Sequence, residues 1–188
     1  MTGSSPTHRI DHDQSDLLLG LLAGLAGGLV ASAAMNAFQS VATPLLARLQ
    51  GGDDRDNHDA SEPTTVKAAE AVSSGLLGHP LRDDEKDAAG EAVHYATGAA
   101  LGGLYGVAAM IEPRVTAGMG TAYGAVVAAV LDESIVPALR LSGPPWQSPL
   151  STHAYSLASH LVFGLTLELA RRGVVGALRA GREQAIPR

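Results

Sequence analysis

The chain has 188 residues, no cysteine and a formal charge of -6 at pH 7. Without cysteine there are no disulfides, thiolate metal sites or thiol nucleophiles. An acidic chain with no basic patch is no general nucleic-acid binder, because such proteins need a cationic face to displace counterions from phosphates. Charge is segregated: residues 17–47 contain no Asp, Glu, Lys or Arg, whereas 48–91 are crowded with them.

Segregation of that kind is what a bilayer imposes on a chain that crosses it. Glycine numbers 22 and aromatics are scarce, so the interior must be filled by Ala, Gly, Leu and Val at close backbone spacing. The expected fold is therefore all-α: a polytopic membrane protein with about four transmembrane helices packed through Gly and Ala ridges.

In chain order, residues 1–16 are polar and are expected to form a disordered tail. Transmembrane helix 1 follows at 17–43, interrupted by Asn36 and Gln39 and longer than the roughly 20 residues a crossing needs. A secretory signal competes for the same stretch, since 17–30 resembles an h-region and Ala31-Ser32-Ala33 fits a small-residue cleavage site. The acidic tail and the apolar run continuing past that point argue against it.

Residues 48–90 form a soluble loop that opens with an acidic connector at 51–59. Within it, 63–77 has Val66, Ala69, Val72, Leu76 and Leu77 at helical spacing, followed by Gly78-His79-Pro80 as a stop. This amphipathic helix is expected to lie on the membrane surface or to cap the bundle. Transmembrane helix 2 spans 92–111 with His94 as its interruption, and Glu112-Pro113-Arg114 makes a short turn. Transmembrane helix 3 spans 115–136, with Asp132 and Glu133 near its end.

A Pro-rich loop at 137–150 carries Trp146, which suits a headgroup interface. Transmembrane helix 4 spans 151–170 and a basic tail, 171–188, closes the chain. Even-numbered spans put both termini on one side, and Arg171 and Arg172 directly abut a span, so both termini are expected in the cytoplasm.

Two patterns stand out. Gly20, Gly24 and Gly28, then Gly98, Gly102 and Gly106, then Gly120 and Gly124 recur at four-residue spacing, which in lipid supplies helix packing through close backbone approach. Association with a second copy or another membrane protein would use the same ridges. The other pattern is polar. Consecutive spans run antiparallel, so Asn36, Gln39, Glu91, His94, Asp132, Glu133 and His153 share one depth zone, with His160 two turns deeper on nearly the same face as His153.

Ionisable groups within a membrane are costly and usually mark pathways, pairs or sites. Glu91, His94, Asp132, Glu133, His153 and His160 therefore form a candidate cluster for protons or a divalent metal, against the plainer reading of wetted groups at span ends. Glu91 and His94 have the spacing of a di-iron Glu-x-x-His pair, but such bundles use two copies and this chain has one. Glu168 is expected to pair structurally with Arg171 or Arg172. Soluble catalytic motifs are absent, and Ser156 with His160 lacks an orienting acid and oxyanion donors in sequence. No enzyme activity, catalytic residue, cofactor or resident metal is expected. The leading expectation is a non-enzymatic membrane bundle, with a proton or small-ion conduit using His94, His160 and Asp132 as the rival and a metal-binding membrane protein as a second alternative.

From His94 onward the order of features resembles the YagU-like family of bacterial inner-membrane proteins. The matching elements are His94 with Tyr105-Gly106, the Glu112-Pro113 turn, Gly120 and Gly124, Pro144-Pro145-Trp146, and His160-Leu161-Val162 leading to Glu168, Arg171 and Arg172. The long 48–90 loop departs from that pattern. The resemblance implies a multi-pass protein of the bacterial inner membrane, whose biochemical role is not established, and brings no catalytic residues with it.

Overall fold

A computed structural model describes residues 6–49 and 62–184, and every regular element within them is helical. The acidic connector expected at 51–59 lies outside the described residues.

Helix α1 (Pro6–Leu49) is one continuous helix of 44 residues. At 1.5 Å per residue it is about 66 Å long, roughly twice the thickness of a hydrocarbon core. Residues 6–16 are its first turns, not the disordered tail expected from their polarity. A proline opens a helix without losing a hydrogen bond, and once a long helix is nucleated, adding polar residues to its end costs little.

Helix α2 (Thr64–Val72) continues into a wider π turn, Ser73–Leu77, and stops at Gly78, whose φ of 77° is left-handed and whose N–H bonds the Ser73 carbonyl at 3.1 Å. Glycine accepts that conformation without a Cβ clash. The expected apolar face is split: Val66 and Ala69 are buried, whereas Val72, Leu76 and Leu77 are exposed. The π turn adds a residue to its circuit and so rotates Leu76 and Leu77 off the face that carries Val66. Val66 presses on α3 (Asp83–Ile111), where a Cβ at Gly90 would lie 2.6 Å from Val66 Cγ2. Thus α2 caps the helices.

Helix α3 begins upstream of the expected start at 92. The Glu85 side chain accepts the Arg82 backbone N–H at 3.0 Å, and Asp83, Asp84 and Glu85 place negative charge on the first turn. The next segment departs more. Residues Pro113–Gly120 form tight, irregular turns in which Gly118, Met119 and Gly120 have φ of 61°, 57° and 85°. Regular helix starts only at α4 (Thr121–Val130), which widens into a π turn at Leu131–Ile135 and ends as the short α5 (Val136–Ala138). The transmembrane helix expected at 115–136 is therefore broken at its start by consecutive left-handed residues. Helix α6 (Leu150–Gln184) runs through Arg171 and Arg172, so the basic tail is largely helical. Val174 and Val175 explain this by packing on Leu19 and Ala23 of α1.

The helices meet in antiparallel pairs at very short range. A Cβ at Gly24 would lie 2.1 Å from the Gly102 carbonyl oxygen, and one at Gly28 would lie 2.1 Å from that of Gly98; Gly20 meets Gly106 in the same way. Between α4 and α6, a Cβ at Gly124 would lie 2.1 Å from the His160 carbonyl oxygen, and one at Gly164 would lie 2.3 Å from that of Gly120. Helix α1 also packs along α6, and a buried cluster of Ala31, Met35, Tyr105, Phe163 and Leu167 ties α1, α3 and α6 together.

Large apolar side chains point outward as well as inward, with Leu18, Leu22, Val41, Leu104, Val126, Leu157 and Leu169 among those exposed. Among the described residues, two helical stretches, Gln14–Arg48 and Pro113–Ala138, are long and apolar enough to cross a membrane. Helices α3 and α6 carry more polar residues within their apolar stretches, among them His94, Ser159, His160 and Glu168.

Candidate functional site

The polar residues of the inner faces collect around a cavity of about 520 Å³. Helix α1 contributes Ser32, Asn36 and Gln39, and α3 contributes Glu91, His94 and Thr97. Asp132 comes from the π turn after α4 and His160 from α6, while Thr64 and Thr65 of α2 form the roof. Antiparallel packing explains the convergence, because the C-terminal halves of α1 and α4 lie beside the N-terminal halves of α3 and α6.

Six residues of the expected polar zone thus line one space: Asn36, Gln39, Glu91, His94, Asp132 and His160. Glu133 and His153 do not. They pair with each other instead, His153 Nδ1 lying 2.5 Å from Glu133 Oε1 and its Nε2 3.1 Å from the Pro145 carbonyl oxygen. The π turn lets neighbouring carboxylates serve different partners along α6, Glu133 at His153 and Asp132 at Ser156 and His160.

Each cavity carboxylate is held through one oxygen. Asn36 Nδ2 donates to Glu91 Oε1 at 2.9 Å. Ser156 Oγ donates to Asp132 Oδ2, and His160 Nδ1 lies 3.5 Å from the same atom. His160 Nδ1 is also 3.0 Å from the Ser156 carbonyl oxygen, and a carbonyl only accepts, so Nδ1 is the donor. His94 Nε2 faces the Ser32 carbonyl oxygen at 3.4 Å. The Ser32 hydroxyl oxygen is fully buried and has no hydrogen-bond partner among the described residues.

Asp132 supplies the acid that Ser156 and His160 lacked in sequence, but the three are not wired for nucleophilic catalysis. In a triad the imidazole accepts the serine proton and the acid orients the imidazole from its far side. Here the serine hydroxyl donates to the acid, and the imidazole donates to backbone. Among the described residues, no three His, Asp or Glu side chains converge closely enough to hold a metal ion.

The cavity floor is apolar. Met35, Leu101 and Phe163 line the cavity and also belong to the core cluster or pack against it. Beyond them lies a second polar group that the sequence showed only in part. Glu168 is fully buried and pairs with both arginines, Arg171 Nε at 2.7 Å and Arg172 Nε at 2.6 Å, and accepts the Tyr105 hydroxyl at 2.9 Å. The i, i+3 and i, i+4 spacing revealed the arginines. Tyr105 was signalled only as one of the elements of the family resemblance, beside His94.

Residues 79–169 match the model of a family described as a protein of unknown function, DUF1440. The match covers the α3, α4 and α6 walls of the cavity but not the α1 wall, and the family description carries no activity. No curated protein and no solved structure matches the chain. By sequence, then, this chain is similar over slightly less than half its length to an uncharacterised family, and its role must be argued from its own geometry.

Proposed function

We propose that the chain is a non-enzymatic, multi-pass integral membrane protein of the bacterial inner membrane, with α1, α3, α4 to α5, and α6 as its spans and both termini in the cytoplasm. The observation that carries this reading is the distribution of polarity. Leu18, Leu22, Leu104, Val126, Leu157 and Leu169 face outward, while His160 and Glu168 are buried and His94 and Asp132 line the cavity between the helices. A water-soluble monomer rarely exposes so extended an apolar surface, whereas lipid favours it and penalises unpaired polar groups at the same depth.

Glycine contacts support the same reading, since helices in lipid lack a hydrophobic drive to associate and depend on close packing. The irregular Pro113–Gly120 segment is compatible with it at the wetted end of the α4 span, since only Gly120 of the segment is buried, against Gly164 of α6. The test is extraction of membranes from cells expressing the full chain. Retention in the pellet after alkaline carbonate, with release by detergent, is expected; release by carbonate alone would remove the reading.

A proton or small-ion conduit through His94, His160 and Asp132 is the second reading, favoured by the convergence of those three side chains on one cavity. The apolar floor of Met35, Leu101 and Phe163 opposes it, since a conduit would require that floor to move. Proteoliposome flux lost in both His94→Ala and His160→Ala would favour the conduit, and absence of flux would favour a cavity closed at one end.

A further inference from the structure

We propose that the inner end of the cavity binds an uncharged small molecule that donates a hydroxyl or ring N–H to Nε2 of His160 and lays an apolar ring against Met35, Val127 and Phe163. This goes beyond the membrane reading, since it needs only the cavity and its lining and would stand if the chain were water-soluble.

Burial divides the lining into two ends. At the mouth Glu91 and Thr97 are exposed and Asp132 is half-buried, so the carboxylates there keep their water. The inner end is dry: Met35, Val127, His160 and Phe163 all line the cavity, yet each is less than one-tenth exposed. They lie together. Met35 and Phe163 belong to one core cluster, Phe163 follows His160 by a turn of α6, and Val127 follows Gly124, which meets α6 at the His160 carbonyl.

His160 supplies the unmet group. Its Nδ1 donates to the Ser156 carbonyl oxygen at 3.0 Å, so in the neutral imidazole Nε2 is an acceptor. Among the described residues Nε2 accepts no hydrogen bond. Nor is it sealed off as the Ser32 hydroxyl is. That hydroxyl, wedged against Gly98, is the one side-chain polar atom among the described residues that lacks both a partner and any open surface. Nε2 therefore reaches open space, and the space that His160 lines is the cavity. Buried polar atoms in folded proteins are nearly always hydrogen-bonded. A water molecule held there would need two to four polar partners, and Met35, Val127 and Phe163 offer none.

The cost of burial selects the ligand. An ammonium at this end would give up its hydration for a single neutral acceptor. A metal ion would need several ligands at one point, a convergence absent among the described residues. A hydroxyl on an aromatic ring gives up little, because the lone acceptor meets the donor and the ring takes the place of water on the apolar walls. The cavity, at about 520 Å³, is in the range that holds small organic ligands.

The experiment uses the purified full chain in nanodiscs, with empty nanodiscs to subtract partition into lipid, and fluorine NMR of 4-fluorophenol and 4-fluoroanisole, which carry the same ring with and without the donor. Saturable binding of the phenol at one site per chain is expected, with the anisole at least about tenfold weaker. His160→Phe should erase that preference, and Glu133→Gln, outside the cavity, should keep it. Should His160→Phe fail to fold, the methionine methyl groups of the otherwise unaltered chain report instead. The phenol should shift the Met35 signal, identified by its loss in Met35→Leu, and leave those of Met110 and Met119 in place. Equal binding of phenol and anisole, a preference for the phenol that survives in folded His160→Phe, or a titration in which the Met35 signal does not move would each overturn the proposal.

Discussion

Gly24 on α1 faces Gly102 on α3 so closely that a methyl group at position 24 would lie 2.1 Å from the Gly102 carbonyl oxygen. The neighbour in the way is backbone, which cannot rotate aside as a side-chain tip can. Gly24→Ala must therefore push two helices apart along a contact that also includes Gly28 and Gly98. A cost of about 1–3 kcal/mol is expected, as for other overpacked interiors. At Gly173 and Gly176 nothing lies within 4 Å of an added Cβ, and alanine there should be neutral or stabilise α6 by up to about 1 kcal/mol through helix propensity. Thermal unfolding of the variants in detergent compares them, and equal melting points for Gly24→Ala and Gly176→Ala would contradict the argument.

Glu168 is, among the described residues, the one anion shared by Arg171 and Arg172, and it also accepts the Tyr105 hydroxyl. Removing its charge with Glu168→Gln strands the partly buried Arg171 without a counter-ion. The expected loss is about 3 kcal/mol or more, since breaking an interior pair leaves an uncompensated charge. Tyr105→Phe removes one hydrogen bond to that carboxylate and should cost less, about 1–2 kcal/mol. By contrast, the Glu133–His153 pair is about one-third exposed on both sides, and Glu133→Gln should change stability by less than about 1 kcal/mol. Chemical denaturation read by far-UV circular dichroism would show the order, and a Glu133 effect exceeding that of Glu168 would refute it.

Much of the cavity was legible in the sequence because two regularities suffice to place it. Helical period puts His94 on the face of Gly98 and Leu101, and antiparallel succession brings Asn36, Glu91, Asp132 and His160 to one depth. All four line the cavity. What the sequence hid depends on tertiary contacts or on backbone states without a residue signature. Met119 sits at a φ of 57°, which no methionine announces. The π turn that separates the partners of Asp132 and Glu133 is likewise silent in apolar spacing, so the sequence grouped Glu133 and His153 with residues from which the structure separates them. Helix α6 continues past Arg171, where the charged pair marks the expected end of the fourth span, because Glu168 neutralises part of that charge inside the fold.

Lys86 offers a test of how the roof is held. Its ammonium lies 3.1 Å from Glu62 Oε1, just ahead of α2, and 3.2 Å from Asp83 Oδ1 on the first turn of α3. Hydrogen bonds to Glu62 and then to Asp83 raise its pKa above the ordinary 10.5. A group with a raised folded-state pKa contributes stability that is fully present below its unfolded value and is lost as pH rises through the folded one. The melting point of Lys86→Met should therefore lie below that of the parent chain by a constant margin from neutrality up to about pH 10, and the two should converge in stronger alkali. A margin that persists unchanged above that range would show that the lysine acts through packing of its stem, not its charge.

The absence of cysteine makes the chain its own background for thiol labelling. Thr97 lines the cavity, and Leu104, two turns further along nearly the same face of α3, is exposed beyond it. If lipid covers Leu104, a charged, membrane-impermeant methanethiosulfonate should reach Thr97→Cys through the cavity mouth and leave Leu104→Cys unmodified in intact membranes, although both positions are exposed in the isolated chain. Detergent solubilisation should not reverse that order, because the micelle takes the place of lipid, but unfolding in denaturant should make both reactive. Rapid labelling of Leu104→Cys in intact membranes would mean that water bathes the outer face of α3, and the proposed spans would then have no support from that helix.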